Sequence, residues 1–320
     1  MKNLSIAADA FLLPFTVLGI DAICCNERNM NFLQVDESNR AAVFRFLSRH
    51  EHTCVQLVER VRLRKFDGIF AILDNARTVT GVLSVRHTVL HCLPDARDKK
   101  KQAAFKIRLA EFLCDKKISC VNGEAVSSSL IIDMLSEQNK TPLQVNEYQL
   151  MTLRSTVLKN TQNASPSKQS RFMHSVLPNW HVVCCCENDA DALMPLQAAY
   201  ETEEVTPACR ETNAAVVRKN LERLLQTEYV IALQNACGEF VAKAHTNAIG
   251  VNYAQIGGVY TMPHYRDRHY ASLLVEIMVQ HIVQSKRRPV LYVRTANEQA
   301  KKIYASLGFA KSLGYTIAYF

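Results

Sequence analysis

The residues best suited to chemistry lie between Gly257 and Ala271, in the run Gly-Gly-Val-Tyr-Thr-Met-Pro-His-Tyr-Arg-Asp-Arg-His-Tyr-Ala. A β-run ends at Thr261, Pro263 marks a turn, and a polar loop from Arg266 opens into a helical pattern. Leu274, Ile277, Met278 and Ile282 share one face of that helix. The first amides of a helix have no partner within it and sit at the positive end of its dipole. A strand–loop–helix of this kind suits a phosphate or pyrophosphate. Arg266 and Arg268 add charge, and the small Ala271 permits close approach at the helix start. Residues 256–320 hold nine Lys/Arg against three acids, whereas 187–204 hold six acids and no Lys/Arg. One segment therefore suits a polyanion and the other a cation.

A second string follows at a fixed separation. Leu291-Tyr292-Val293 precedes Asn297-Glu-Gln-Ala300-Lys-Lys-Ile303-Tyr304-Ala-Ser-Leu-Gly308-Phe309. Together the two strings resemble the acetyl-CoA-binding core of the GNAT superfamily of N-acyltransferases, with residues 255–309 carrying nearly all of the likeness. The superfamily holds the pyrophosphate with a loop of the form Arg/Gln-x-x-Gly-x-Gly/Ala. Here Arg266-Asp267-Arg268-His269-Tyr270-Ala271 matches at both ends and places His269 where the central glycine stands. A backbone position with positive φ costs more for His than for Gly. The resemblance implies an α/β mixed sheet of the GNAT acyl-CoA N-acyltransferase type.

The implied site follows residue by residue. Val259, Tyr260 and Thr261 offer backbone amides to the thioester and the pantetheine arm. Arg266 to Ala271, with Ser272, hold the pyrophosphate. Asn297 contacts pantetheine, and Tyr304 sits by the thioester sulfur as the acid for the leaving thiolate. An alkyl amine, with a pKa of about 10.4, needs a base before it attacks. Many superfamily members carry a glutamate on the strand before the loop, but Tyr253 to Thr261 contains no carboxylate. Glu203 and Glu204 are the candidate substitutes, with His245 and His264 behind them. The implied activity is transfer of an acetyl group from acetyl-CoA to a primary amine, with no metal. The alternative is a non-catalytic acyl-CoA-binding or regulatory protein that keeps the fold. Nucleic acid is not an expected partner, because the basic region lacks interleaved aromatics in a known module.

The elements that must position these residues occupy only part of a 320-residue chain, which is long enough for two cores. Leu196-Gln-Ala-Ala-Tyr200-Glu201-Thr-Glu203-Glu204-Val205 resembles the first helix of two-domain bacterial members, in which a degenerate GNAT-like half precedes the active one. Ile69-Phe70-Ala71-Ile72 echoes Val230-Ile231-Ala232-Leu233, each after a helix and before a second β-run. The expected organisation is an extension at 1–30, a degenerate GNAT-like domain at 31–157, a polar linker at 158–178, and a GNAT N-acetyltransferase domain at 179–320. One helical pattern covers 39–62, one β-stretch covers 79–92, and the final strand is expected at 314–320.

The run Ala10 to Ile20 is too short for a membrane span, which needs about 20 residues. The eleven cysteines include the adjacent pair Cys24-Cys25 and the adjacent triplet Cys184-Cys185-Cys186. That spacing fits neither a disulfide framework nor a zinc ribbon and points to a reducing, cytoplasmic setting. His181-Val-Val-Cys184 has metal-ligating types, but Trp180 to Cys186 reads as a buried strand.

Overall fold

In a computed structural model of the chain, residues 30–162, 179–207 and 211–320 are described. The expected N-terminal extension and most of the polar linker lie outside them. The first half runs β1 (Asn31–Gln34), α1 (Arg40–Arg49), α2 (Val55–Arg62), β2 (Ile69–Leu73), β3 (Val79–Val85), β4 (Thr88–Cys92), α3 (Gln102–Leu113), β5 (Cys120–Glu124), α4 (Ala125–Glu137) and β6 (Gln144–Leu153). Helix α5 (Ser155–Gln162) extends into the stretch read as linker. The second half runs β7 (His181–Cys184), α6 (Ala190–Tyr200), α7 (Ala214–Thr227), β8 (Val230–Gln234), β9 (Phe240–Ile249), β10 (Tyr253–Thr261), α8 (Tyr270–Gln284), β11 (Arg288–Arg294), α9 (Glu298–Ser306) and β12 (Phe309–Tyr319). Apart from α5, the two halves repeat each other element for element. The echo between residues 69–72 and 230–233 falls on the equivalent strands β2 and β8.

All twelve strands form one mixed sheet in the order β1-β2-β3-β4-β5-β12-β6-β11-β10-β9-β8-β7. The halves are joined by exchange of their last strands. β6 of the first half pairs with β11 of the second, and β12 of the second pairs with β5 of the first. β6 and β12 pair with each other from Phe309–Leu153 to Tyr319–Gln144. This long ladder is why β12 starts at Phe309 rather than at 314. Helices cover both faces. α8 lays Leu274, Val275, Met278, Val279, Ile282 and Val283 on one face of the second half, and α6 and α7 cover the other with Leu193, Leu196, Leu221 and Leu224. Among the described residues, no helix is long and apolar enough to cross a membrane.

Three further sequence expectations change for tertiary reasons. The helical pattern over 39–62 breaks at Glu51–Thr53, a 3-10 turn, because Glu51 turns inward to a partner two hundred residues away. The 79–92 stretch folds back as the β3–β4 hairpin, with Val82 opposite Cys92. Strand β7 lies at the sheet edge and is not buried: His181 and Cys184 are exposed, while Cys185 beyond it is buried.

The Glu51 contact ties the halves together. Its carboxylate is 1% exposed and accepts from the backbone amides of Val251 (2.6 Å), Asn252 (2.8 Å) and Tyr253 (3.0 Å), and from Asn252 Nδ2 (2.9 Å). These residues form the turn between β9 and β10. Nearby, Ile249 N donates to Glu59 Oε1 at 2.7 Å, and Arg62 donates to the Ile249 carbonyl. The first half therefore anchors the hairpin that carries one wall of the cleft described next.

Candidate functional site

Strands β10 and β11 run parallel and in register only from Tyr253–Arg288 to Ile256–Leu291. Beyond that point they part. β11 stays paired with β6 through Arg294, while β10 stays with β9 through Thr261. The parting has a sequence cause in Gly257-Gly258. The β9–β10 register shifts twice here, between Gln255 and Ile256 and between Gly257 and Tyr260. Gly258 has φ +54°, and a Cβ on it would overlap the His245 imidazole; one on Gly257 would overlap the Asn247 amide. Such a bulge bends the strand and leaves residues out of the ladder.

The opening is a cleft of about 800 Å³. Of the sequence-predicted residues, Val259, Tyr260, Thr261, Arg266, Asp267, Arg268, His269, Tyr270, Ala271, Asn297, Tyr304, Glu203 and Glu204 all line it. Ser272 and His264 do not; His264 lies exposed in the 263–265 turn. The cleft also receives Tyr148 from β6 and Gln56 from α2, so both halves contribute to it.

At the outer end, the start of α8 is open. The first helical backbone bond is Leu273 N to the His269 carbonyl, and no side chain caps the preceding amides. His269 has φ +62° and ψ +13°, the left-handed conformation that a glycine adopts without cost. Asp267 is also left-handed at φ +62°, and Gln299 of α9 donates to its Oδ1 at 2.6 Å. The loop thus keeps a backbone suited to an anion despite the substitution. His and Asp are among the non-glycine residues that tolerate this region best. The uncapped amides, with Arg266 and Arg268 beside them, fit a pyrophosphate.

Arg266 is already engaged. Its Nη2 donates to both oxygens of Glu203, at 2.9 and 2.6 Å, and its Nε donates to the Thr261 carbonyl at 3.1 Å. The Tyr260 hydroxyl also donates to Glu203, at 2.8 Å. The Arg266 bond, aided by Tyr260 and against some desolvation, holds the Glu203 carboxyl below its usual range. Glu204 differs. Burial raises its pKa, partly offset by Arg294, whose Nε lies 3.5 Å away. Both glutamates belong to a π-helical turn, Glu201–Val205, closed by Thr206 N to the Glu201 carbonyl at 2.7 Å. Such turns recur at functional sites.

The inner wall is set by α9. Asn297 Oδ1 accepts from Ala300 N at 2.9 Å and caps the helix, leaving the amide NH₂ of its side chain to other partners. Tyr304 is 8% exposed and packs edge-on against Phe309 at 6.2 Å. Burial, with a smaller push from Glu204, raises its pKa, so the hydroxyl keeps its proton.

Sequence reasoning missed Glu228, which follows α7 and lines the cleft, along with Asn247 and Gln255. Glu228 carries no motif; only the sheet order brings it to the site. Gln255 stands on β10, the strand expected to lack a carboxylate. Lys243 was also not foreseen. It is fully buried behind the bulge, 3.2 Å from the Gly258 carbonyl and 4.0 Å above the Tyr200 ring, and burial pulls its pKa down to about 7.

The equivalent place in the first half is filled by its own side chains. β4 and β5 pair from Thr88 to Leu90; His91 then packs over Gly123 and bonds Ser128 at 2.8 Å. Ser127 donates to the Leu93 carbonyl at 3.0 Å.

No curated protein matches the chain by sequence. The family model described as FR47-like protein matches residues 234–317. Among solved structures, the chain is similar to a GCN5-related N-acetyltransferase from Sphaerobacter thermophilus, with 12% identity over 90% of this chain and 94% of that one, at a TM-score of 0.54. It is similar over 91% of its length to 98% of a tandem GNAT protein from the clavulanic acid biosynthesis pathway, with 13% identity and a TM-score of 0.52. Against a putative GNAT-family acetyltransferase from Novosphingobium aromaticivorans the overlap is partial. It covers 55% of this chain and 65% of that one, with 19% identity and a TM-score of 0.39.

Proposed function

We propose that this chain, which has the GNAT fold built from two tandem halves, transfers an acetyl group from acetyl-CoA to a primary amine by direct attack. The observation that carries the reading is the parting of β10 from β11 beside the uncapped start of α8, with Tyr304 on the inner wall. A long, thin acyl-CoA suits that shape: an anionic end needs open amides, and a pantetheine arm needs unpaired strand edge.

In this reading Arg266 to Ala271 bind the pyrophosphate and Val259 to Thr261 bind the arm and thioester. Asn297 contributes its free amide to the arm. Tyr304 gives its proton to the departing sulfur, a role that needs a hydroxyl still protonated at working pH. Glu203 is a strap between the acceptor-side turn and the phosphate loop rather than a base, since its pKa is lowered and Arg266 occupies it. Glu204 adds negative potential that draws a cationic amine.

The test is acetyl-CoA binding by calorimetry, followed by thiol release with a panel of amines, for wild type and Tyr304→Phe. Binding with thiol release that drops at least tenfold in Tyr304→Phe supports the reading. Binding without thiol release on any amine supports instead a non-catalytic acyl-CoA-binding protein. No binding sinks both.

A further inference from the structure

The acetyl-transfer reading leaves the acceptor's proton without a destination, because Glu203 and Glu204 each face an arginine. The inner arm of the cleft supplies one. Beyond the Gly257–Gly258 bulge it is walled by His245, Asn247, Gln255 and Glu228.

His245 is 3% exposed. Its Nδ1 lies 2.9 Å from the Thr246 carbonyl oxygen, which can only accept, so Nδ1 carries the proton. Nε2 is then a bare lone pair, and it is buried without a hydrogen-bond partner on the cleft wall. Burial, followed by the Lys243 charge, depresses the imidazole pKa well below its usual value, so the ring stays neutral. A buried acceptor without a donor asks for an explanation, and a ligand N–H is one.

Glu228 stands on the same wall. Its hydrogen bond comes from a neutral hydroxyl: Thr246 Oγ1 donates to Oε2 at 2.5 Å. Thr246 thus fixes the imidazole through its carbonyl and the carboxylate through its hydroxyl. The groups around Glu228 come from three elements: Glu59 and Arg62 of α2, Arg223 of α7, and Thr246 of β9. Burial above all, with Glu59 adding and Thr246 and the arginines subtracting, pushes its carboxyl up to about 7. A base poised near neutrality is what proton removal from an amine needs.

We propose that this arm is the acceptor subsite, in which His245 Nε2 receives an N–H hydrogen bond from the acceptor amine and Glu228 takes up its proton. The proposal rests on the acetyl-transfer reading. The alkylammonium gives one proton to the Glu228 carboxylate. The freed lone pair forms the C–N bond at the thioester carbonyl carbon, and the C–S bond breaks. The sulfur takes the Tyr304 hydroxyl proton, and the nitrogen's second proton restores the tyrosine. Glu228 then releases its proton to solvent. In sum, ammonium and thioester give amide, thiol and one proton.

The test compares wild type, Glu228→Gln and Glu228→Asp, with acetyl-CoA binding by calorimetry and thiol release across pH 5.5 to 9.5 on the best amine of the panel. In Glu228→Gln, acetyl-CoA affinity should stay within about twofold, kcat should fall by about 100-fold near pH 7, and the limb of kcat/KM near pH 7 should vanish. Glu228→Asp should restore the limb. His245→Gln should raise KM for the amine more than it lowers kcat. A Glu228→Gln protein that turns over within threefold of wild type, with the limb intact, overturns the proposal while leaving the transfer reading standing. Wild-type protein that binds acetyl-CoA but releases no thiol overturns the transfer reading, and the proposal with it.

Discussion

Replacing Glu51 tests how far the second half's site depends on the first half. Three backbone amides and one side-chain amide of the 250–253 region converge on this one buried carboxylate. Glu51→Ala removes all four bonds at once. Each buried donor left unmatched costs about 1–3 kcal/mol, and water entering the vacated space recovers part of that. The net loss should be about 3–5 kcal/mol, the range for removing one partner of a buried charged interaction. At about 2–4 °C per kcal/mol for a chain approaching this size, the midpoint should fall by about 6–20 °C. Glu51→Gln keeps one acceptor oxygen for the three backbone amides and forces only Asn252 to turn its side chain, so it should cost about 1–2 kcal/mol. Scanning calorimetry on the three proteins, with and without acetyl-CoA, reads both. A loss below about 2 °C in Glu51→Ala, or equal losses in the Ala and Gln variants, would refute the account of this carboxylate as the clamp between the halves.

Arg266→Ala should leave the melting midpoint within about 4 °C, since an ion pair this exposed contributes about 0–1 kcal/mol. It should weaken acetyl-CoA binding by about 10- to 100-fold, read by calorimetry. Gly258→Ala places a methyl group into the His245 imidazole at a left-handed position, so it should cost about 2–4 kcal/mol in urea unfolding and weaken acetyl-CoA binding as well. His269→Gly removes left-handed strain from the α8 start and should raise stability by about 0.5–1 kcal/mol by the same measurement. Glu228 has a folded pKa raised to about 7, above its unfolded value, so the folded state holds its proton longer and the carboxyl costs stability as pH rises from about 4.5 to 7. Glu228→Gln should therefore be more stable than wild type at pH 8 by about 2–3 kcal/mol, and about as stable as wild type at pH 4.5; an unchanged midpoint at pH 8 would contradict the assigned shift.

The sequence by itself determined the part of this protein that depends on local pattern. The Arg266–Ala271 loop, the Asn297–Phe309 string, the apolar face of α8 and the echo between β2 and β8 are short-range signals, and the structure carries each at its expected place. The positive φ at His269 was legible too, as the cost of putting an imidazole where the loop motif has glycine. Other features arise from contacts between residues far apart in the chain, and no window of sequence contains them. Strand exchange between β6 and β12 makes one sheet from two halves, because edge strands gain partners that neither half offers alone. Glu51 reads as one more charged residue on a helix until the β9–β10 turn presents its amides to it. Glu203 reads from the sequence as a candidate base, and in the fold Arg266 lies across from it and lowers its pKa, because a carboxylate's pKa follows its neighbours in space rather than in sequence. Glu228 and His245 meet on one wall only because β8, β9 and the bulged β10 lie side by side. The motif proposed to bind an acyl-CoA is written along the chain, whereas the groups proposed to meet its acceptor are assembled across the sheet.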